Sequence, residues 1–159
     1  TKLSPAEELI KSAIVKLKDK QNTDVTEVGK KLVEMYPKDP NSYANLFYFQ
    51  SFMGDSVGVV ETLNKAIKTS DNPAPFYNQL GYVYMRLKQN DKAEAAFNKY
   101  IELAQHNPNV YDSKGDYYMN VKEYGKAYET YMKAYALDTA WGLEKAKKAK
   151  QLSEVKEVK

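Results

Sequence analysis

The 159-residue chain has no cysteine and a single histidine. Disulfides and thiolate chemistry are thereby excluded, and cysteine usage says nothing about the redox compartment. His106 falls between two helical segments and is expected in an exposed loop. A catalytic or metal role there would need partners that the spacing does not offer. No Gly-rich phosphate-binding motif is present. With no such constellation the chain is expected to be non-enzymatic and to need no cofactor. No apolar run approaches the roughly 20 residues that span a bilayer, so membrane insertion is not expected. Thr1 to Glu8 lack the apolar stretch of a signal peptide, although a start on Thr rather than Met leaves a removed leader open. Charge of one sign is also scarce: 24 Lys and Arg oppose 21 Asp and Glu. The whole excess lies in residues 142–159, with six Lys and three Glu, and residues 1–141 balance at 18 against 18. A neutral body with a basic tail lacks the basic stripe of a nucleic-acid groove.

What the chain does have is tyrosine, 14 residues in all, within an apolar fraction of 43%. Each hydroxyl wants water or a partner, which favours many half-buried positions over one dry core. The aromatics also repeat. Tyr77-x-x-Leu80-Gly81-x-x-Tyr84, followed by Ala93-x-x-x-Phe97, recurs 34 residues later. The second copy is Tyr111-x-x-Lys114-Gly115-x-x-Tyr118, followed by Ala127-x-x-x-Tyr131. A period of that size signals stacked supersecondary units.

Counted from Ala74, the frame gives repeats at 74–107 and 108–141. Running backwards gives 40–73, with Tyr43, Leu46 and Ala66 in register, but Phe47 in place of the Gly and Gln50 in place of the Tyr. A degenerate unit, 5–39, precedes it. Its first helix is expected over 5–19 and its second through about 36, with Gly29 where a large side chain would be expected. Ser4-Pro5-x-Glu7 reads as a capping box. Asp39-Pro40, Asn72-Pro73 and Asn107-Pro108 read as repeated cap-then-Pro signals. Thr23-Asp24, Asp55-Ser56 and Asn90-Asp91 mark the starts of second helices. Residues 142–157, introduced by Trp141, read as a capping helix with Leu143, Ala146, Ala149 and Leu152 on one side and Lys on the other. The expectation is one domain over 1–159, with nine helices and no strands.

These residues resemble the tetratricopeptide repeat (TPR). The family pattern Trp-x2-Leu-Gly-x2-Tyr, Ala-x3-Phe, Pro matches Tyr77, Leu80, Gly81, Tyr84, Ala93 and Phe97. The third repeat departs at Lys114, which stands for Leu, and Gln105 and Thr139 stand where the final Pro is expected. The resemblance implies an all-α, right-handed α-solenoid of antiparallel helix pairs. It also implies a protein or peptide partner held in a concave groove lined by the first helix of each pair. Candidate groove residues are then Asn45, Tyr48 and Phe52 in the first repeat. The second supplies Asn78, Gln79, Tyr82, Met85 and Arg86, and the third Asp112, Asp116 and Met119. The aromatic members are equally well suited to packing.

Family members that bind chaperone tails clamp a C-terminal carboxylate with Lys, Asn and Arg in fixed slots. Here Asn45 fits the middle slot and Lys11 is the candidate for the first, but Val15, Pro75 and Gln79 occupy the rest. Without those cations the charge-assisted grip is missing, and this role is not expected. Asp112 and Asp116 lie one helical turn apart on one face. They read as a solvated face, as an acidic end that meets a basic group of the ligand, or as a metal-binding or general acid/base pair, and with no His or further acid converging by sequence the solvated face is the expectation. The run Lys145-Ala-Lys147-Lys148-Ala-Lys150 reads as the wet face of the capping helix. Two further readings stand beside the peptide-binding scaffold. One is a self-associating assembly module, suggested by the imperfect end repeats and by the opposite charges of the basic capping helix and of a groove with Asp112 and Asp116. The other is an accessory domain of a larger protein, because Asn109–Asp116 is similar to TPR tails of extracytoplasmic bacterial hydrolases. That similarity leans toward a bacterial, periplasmic setting.

Overall fold

Helix punctuation sets the element boundaries. The computed structural model describes residues 2–18 and 25–157. These form nine helices and no strand: α1 (Pro5–Lys18), α2 (Thr26–Met35), α3 (Pro40–Met53), α4 (Ser56–Thr69), α5 (Ala74–Arg86), α6 (Asn90–Ala104), α7 (Pro108–Asn120), α8 (Tyr124–Leu137) and α9 (Leu143–Glu157). None of them is long and apolar enough to cross a membrane. The capping box closes α1: Ser4 N donates to Glu7 Oε2 at 2.7 Å and Glu7 N donates to Ser4 Oγ at 3.3 Å. Asp39 and Asn107 each accept the backbone N–H two residues on, with Pro40 and Pro108 as first helical residues. Asp55 caps α4 by accepting from Gly58 N.

One boundary signal reads differently from expectation. Asn72-Pro73 stands one residue early in the 34-residue frame, so α5 begins past it at Ala74. There Ser70 Oγ bonds to the Asn72 backbone instead. Asn90 is the first residue of α6, where the Asn90-Asp91 start signal puts it. Thr23-Asp24 lies outside the described residues.

The described residues pack as two compact units, Thr1–Pro73 and Ala74–Lys159. In the second unit α5 packs on α6, α6 on α7, α7 on α8 and α8 on α9. The repeated glycines explain how the pairs close. A Cβ on Gly81 would lie 2.6 Å from Phe97 Cε1, and one on Gly115 would strike the Tyr131 ring, with Cζ at 2.9 Å. Each glycine is therefore the socket for the aromatic ring of its partner helix. Phe97 also clusters with Ala93 and with Tyr117 of α7. Tyr131 clusters with Ala127 and with Ala146 and Ala149 of α9. Ala149 stands 34 residues after Gly115 and is fully buried. The capping helix thus takes the place of a further repeat's first helix, with alanine where the glycine stood.

The first unit uses the same frame with the sizes exchanged. Phe47 occupies the glycine position, and Leu63 occupies the position of Phe97 and Tyr131; both are buried. Gln50, at the tyrosine position, accepts a buried hydrogen bond from Thr62 Oγ1 at 2.7 Å. Gly29 also gains a reason. A Cβ there would lie 2.7 Å from the Cα of Leu46, so α2 approaches the α3 backbone too closely for any side chain.

Lys114 is the main departure within the good repeats. It takes the place of Leu80 and is only 3% exposed. Its Nζ lies 2.8 Å from Glu94 Oε1 and sits over the rings of Tyr117 and Tyr118, 4.6 Å and 4.8 Å from their centroids. Burial lowers the Lys114 pKa, with Glu94 opposing that shift. The hydrogen bond from Lys114 lowers that of Glu94. Replacing a buried ion pair by apolar packing is often neutral or stabilising. Lys114→Leu removes one partner only, but the Glu94 side chain left behind is 41% exposed and regains water, so the variant is expected to stay within about 1 kcal/mol of the parent at pH 7 or to exceed it. The depressed Glu94 pKa means that its stabilisation is present above the unfolded value and is lost as pH falls below about 4.3. Urea unfolding across pH 3–7 should show that acid loss in the parent and a smaller one in the variant.

Candidate functional site

Helix geometry places Asp112 and Asp116 one turn apart on α7, and three other helices bring side chains to them. Tyr82 of α5 donates its hydroxyl to Asp116 Oδ2 at 2.8 Å. Tyr131 of α8 donates to Asp116 Oδ1 at 2.7 Å. Lys145 of α9 donates to Asp112 Oδ2 at 2.6 Å and to the two Asp116 oxygens at 2.9 and 3.2 Å. The Lys145 ammonium also stands 5.5 Å from the Tyr131 ring centroid.

Local sequence explains how Lys145 arrives there. Gly142 has φ 77°, and a Cβ on it would collide with the Tyr131 carbonyl oxygen. Only glycine satisfies both the left-handed backbone and that contact. The turn starts α9 immediately afterwards, with Ala146 N donating to Gly142 O at 2.8 Å. Lys145 thus lies in the first turn of α9 and reaches α7.

The electrostatics are consistent with a fixed arrangement. Burial raises the Tyr131 phenol far above its ordinary pKa, and its hydrogen bond to Asp116 raises it further. Tyr82 is likewise raised, mainly by burial, with Asp116 adding to the effect. Both hydroxyls therefore remain donors at all ordinary pH. Burial alone would lower the Lys145 ammonium, but the hydrogen bonds to Asp112 and Asp116 outweigh it and its pKa is raised. The Asp112–Asp116 pair is thus not a solvated helix face. Asp112 is 8% exposed and its charge is met from within the chain. Lys145 correspondingly leaves the wet face, while Lys147 pairs with Glu144 on the outside of α9.

The other sequence-selected residues divide by unit. In the second unit Tyr82 packs edge-on to Phe97, with centroids 5.2 Å apart. Met85 is half-buried against the Phe97–Tyr117 cluster, and Met119 against the Tyr131–Ala149 cluster. These two methionines support packing. Gln79 is half-buried and Arg86 exposed. Asn78 is half-buried, and its Oδ1 is shielded from water without a hydrogen-bond partner among the described residues. In the first unit Asn45 is turned onto its own helix, donating to Asn41 O at 2.8 Å. Tyr48 and Phe52 stand out at 61% and 68% exposure. The same unit holds a cleft of about 290 Å³ lined by Lys30, Glu34, Tyr43, Gln50, Glu61 and Lys65, among others, where the basic and acidic side chains offset one another. His106 is exposed in the turn after α6.

Paired helices closed by glycine–aromatic sockets define a helical-repeat scaffold. Residues 74–107 and 108–140 each match the family model of the tetratricopeptide repeat, so these two segments are tetratricopeptide repeats. Solved structures agree on the fold, an all-α helical solenoid. A thermophilic TPR protein of Thermus thermophilus is 22% identical with a TM-score of 0.71, covering 94% of this chain and 81% of that one. The MamA protein is 24% identical with a TM-score of 0.65, covering 85% and 74%. Yeast Tom70 is 16% identical with a TM-score of 0.72, covering 85% of this chain and 28% of the other. No curated protein matches the chain in sequence. The repeat serves protein–protein interaction, and partners of this class are proteins or peptides.

Proposed function

We propose that the protein is a non-enzymatic interaction module that holds a peptide or partner protein on the first-helix face of α5 and α7. The observation that carries this reading is the division of labour around those helices. Gly81 and Gly115 face the partner helix and are consumed by packing. Asn78, Gln79 and Arg86 lie off that contact, and Asp116 is held on its own helix by Tyr82 and Tyr131. An amide side chain can bond an extended backbone, and the half-buried Gln79 on this face is suited to that use. Carboxylates fixed by surrounding donors need little reordering on binding.

The reading predicts position-dependent crosslinking in the source cell. A photoreactive benzoylphenylalanine at Gln79 or Arg86 should capture a partner. The same group at Glu102, exposed on α6, should capture none. Equal capture from all three positions would remove the first-helix face as the binding surface.

A further inference from the structure

Three turns of the 34-residue frame close in the same way. Gly54, Lys88 and Lys122 occupy the same place in it, each just past the end of a first helix. All three have left-handed backbone, with φ of 76°, 57° and 63°. The residue after each donates its backbone N–H to the carbonyl five residues back, at Gln50, Tyr84 and Tyr118. Glycine meets this closure without strain, as at Gly54. The second unit puts lysine there twice. A strained residue kept at the same place in two repeats is a sign that its side chain is used.

Within that unit α5 packs on α7, so the two lysines lie along one edge of the first-helix face. Arg86, the only arginine, stands two residues before Lys88. All three side chains are exposed, and none makes an ion pair or hydrogen bond among the described residues. The acids beside them in sequence are Asp91 and Glu123, and Glu123 is taken by Lys126. The face offers no open carboxylate to offset them. Asp112 is 8% exposed. Asp116 Oδ1 already accepts from Tyr131 and Lys145, and Oδ2 from Tyr82 and Lys145. Those contacts fill the acceptor positions of the carboxylate.

We propose that Arg86, Lys88 and Lys122 form a basic rim that grips an acidic segment of the partner. This rests on the α5–α7 face proposed above and gives the partner its chemistry: Asp or Glu side chains on an extended segment. Packed helices lie about 8–10 Å apart, and an extended chain rises about 3.3 Å per residue. Carboxylates about three residues apart therefore match Lys88 and Lys122. The planar guanidinium of Arg86 can hold one of them through two parallel bonds.

Lys88→Gly together with Lys122→Gly tests this, because glycine suits the positive φ of both turns. The full chain, parent and variant, is used to select from a displayed library of random dodecapeptides. The parent is expected to select peptides rich in Asp and Glu, with acidic pairs about three residues apart. The leading peptide, resynthesised with an amidated C-terminus, should bind the variant at least tenfold more weakly in calorimetry. Thermal melting of the variant should stay level or rise. Lys88→Asn with Lys122→Asn, which also tolerates that backbone, should repeat the loss. Recovery of no peptide, of basic or apolar ones, or of acidic ones that bind parent and variants equally would overturn the rim. So would equally tight binding of a single-stranded DNA oligonucleotide, which marks a patch for any polyanion. The benzoylphenylalanine crosslink at Gln79 separates this from the binding-face reading. Capture there with no acidic selection defeats the rim alone. Acidic selection that depends on the two lysines, with no capture at Gln79, defeats the face and leaves the rim standing.

Discussion

Gly115→Leu is expected to lower the unfolding free energy by about 3–5 kcal/mol. The position is closed on its open side by the Tyr131 ring, which is 2% exposed. An added side chain must push that ring or part α7 from α8. Overpacking of this kind costs about 1–3 kcal/mol. Here the displaced ring also carries the hydroxyl that donates to Asp116 at 2.7 Å, and a hydrogen bond to a charged group contributes about 1.5–3 kcal/mol. Gly81→Leu meets Phe97 in the same way but displaces no hydrogen bond, so it should cost less. Leucine's better helix propensity returns under 1 kcal/mol in both. Gly125→Ala on α8 is the control: nothing lies within 4 Å of its added Cβ, and stability should stay level or rise slightly. Urea unfolding of the three variants measures the order. A Gly115 variant as stable as the Gly125 control would contradict the socket.

That socket was readable in the sequence because period and residue size are both written there. Gly81 and Gly115 share an offset with Phe97 and Tyr131, and only the smallest residue tolerates such an approach. The exchange of Phe47 and Leu63 is written in the same register. Helix starts were readable where Asp39, Asp55 and Asn107 stood in phase, and misread where Asn72-Pro73 stood one residue early. What sequence alone did not yield were the charge partners. Lys114 was seen to break the leucine pattern, but its partner Glu94 is 20 residues away on another helix, at no spacing that a period marks. Lys145 looked like one more lysine on a wet face, because periodicity ranks residues by apolarity and says nothing about which cation turns inward. Asp112 and Asp116 were recognised as a pair facing one way. Their cation came from within the chain, supplied by the turn at Gly142, whose positive φ is a backbone property that the apolar pattern does not register. The methionines were ambiguous for a physical reason: Met85 and Met119 suit packing and binding equally, and both lie against core clusters.

Asp116→Ala is expected to cost about 2–4 kcal/mol and to loosen α9. Asp116 accepts from Tyr82, Tyr131 and Lys145 together, so its removal leaves several donors at once. The loss at Tyr131 dominates, because that residue is 2% exposed and a buried hydroxyl without a partner costs about 1–3 kcal/mol. Tyr82 is half-buried and can find water. Lys145 keeps Asp112, and its side chain is 46% exposed, so solvent screens part of that contribution. Asp116→Asn separates the causes. It keeps one acceptor oxygen for the buried Tyr131, puts an amide NH2 where Tyr82 finds its acceptor, and removes the charge that Lys145 sees, so it should retain most of the stability while releasing part of α9 in hydrogen exchange. A double-mutant cycle with Tyr131→Phe should show coupling, since the hydroxyl cannot be orphaned once it is gone. Alkali tests the same network with a defined sign. The folded pKa values of Tyr82 and Tyr131 are raised, so the folded state keeps protons that the unfolded chain releases above about pH 10. Stability is then complete below that value and falls as pH rises through it. Because burial is the larger cause for both phenols, Asp116→Ala should reduce this alkaline loss without abolishing it. An Asp116→Ala variant that matched the parent in urea stability, with α9 equally protected, would leave the carboxylate no part in holding α5, α7, α8 and α9 together.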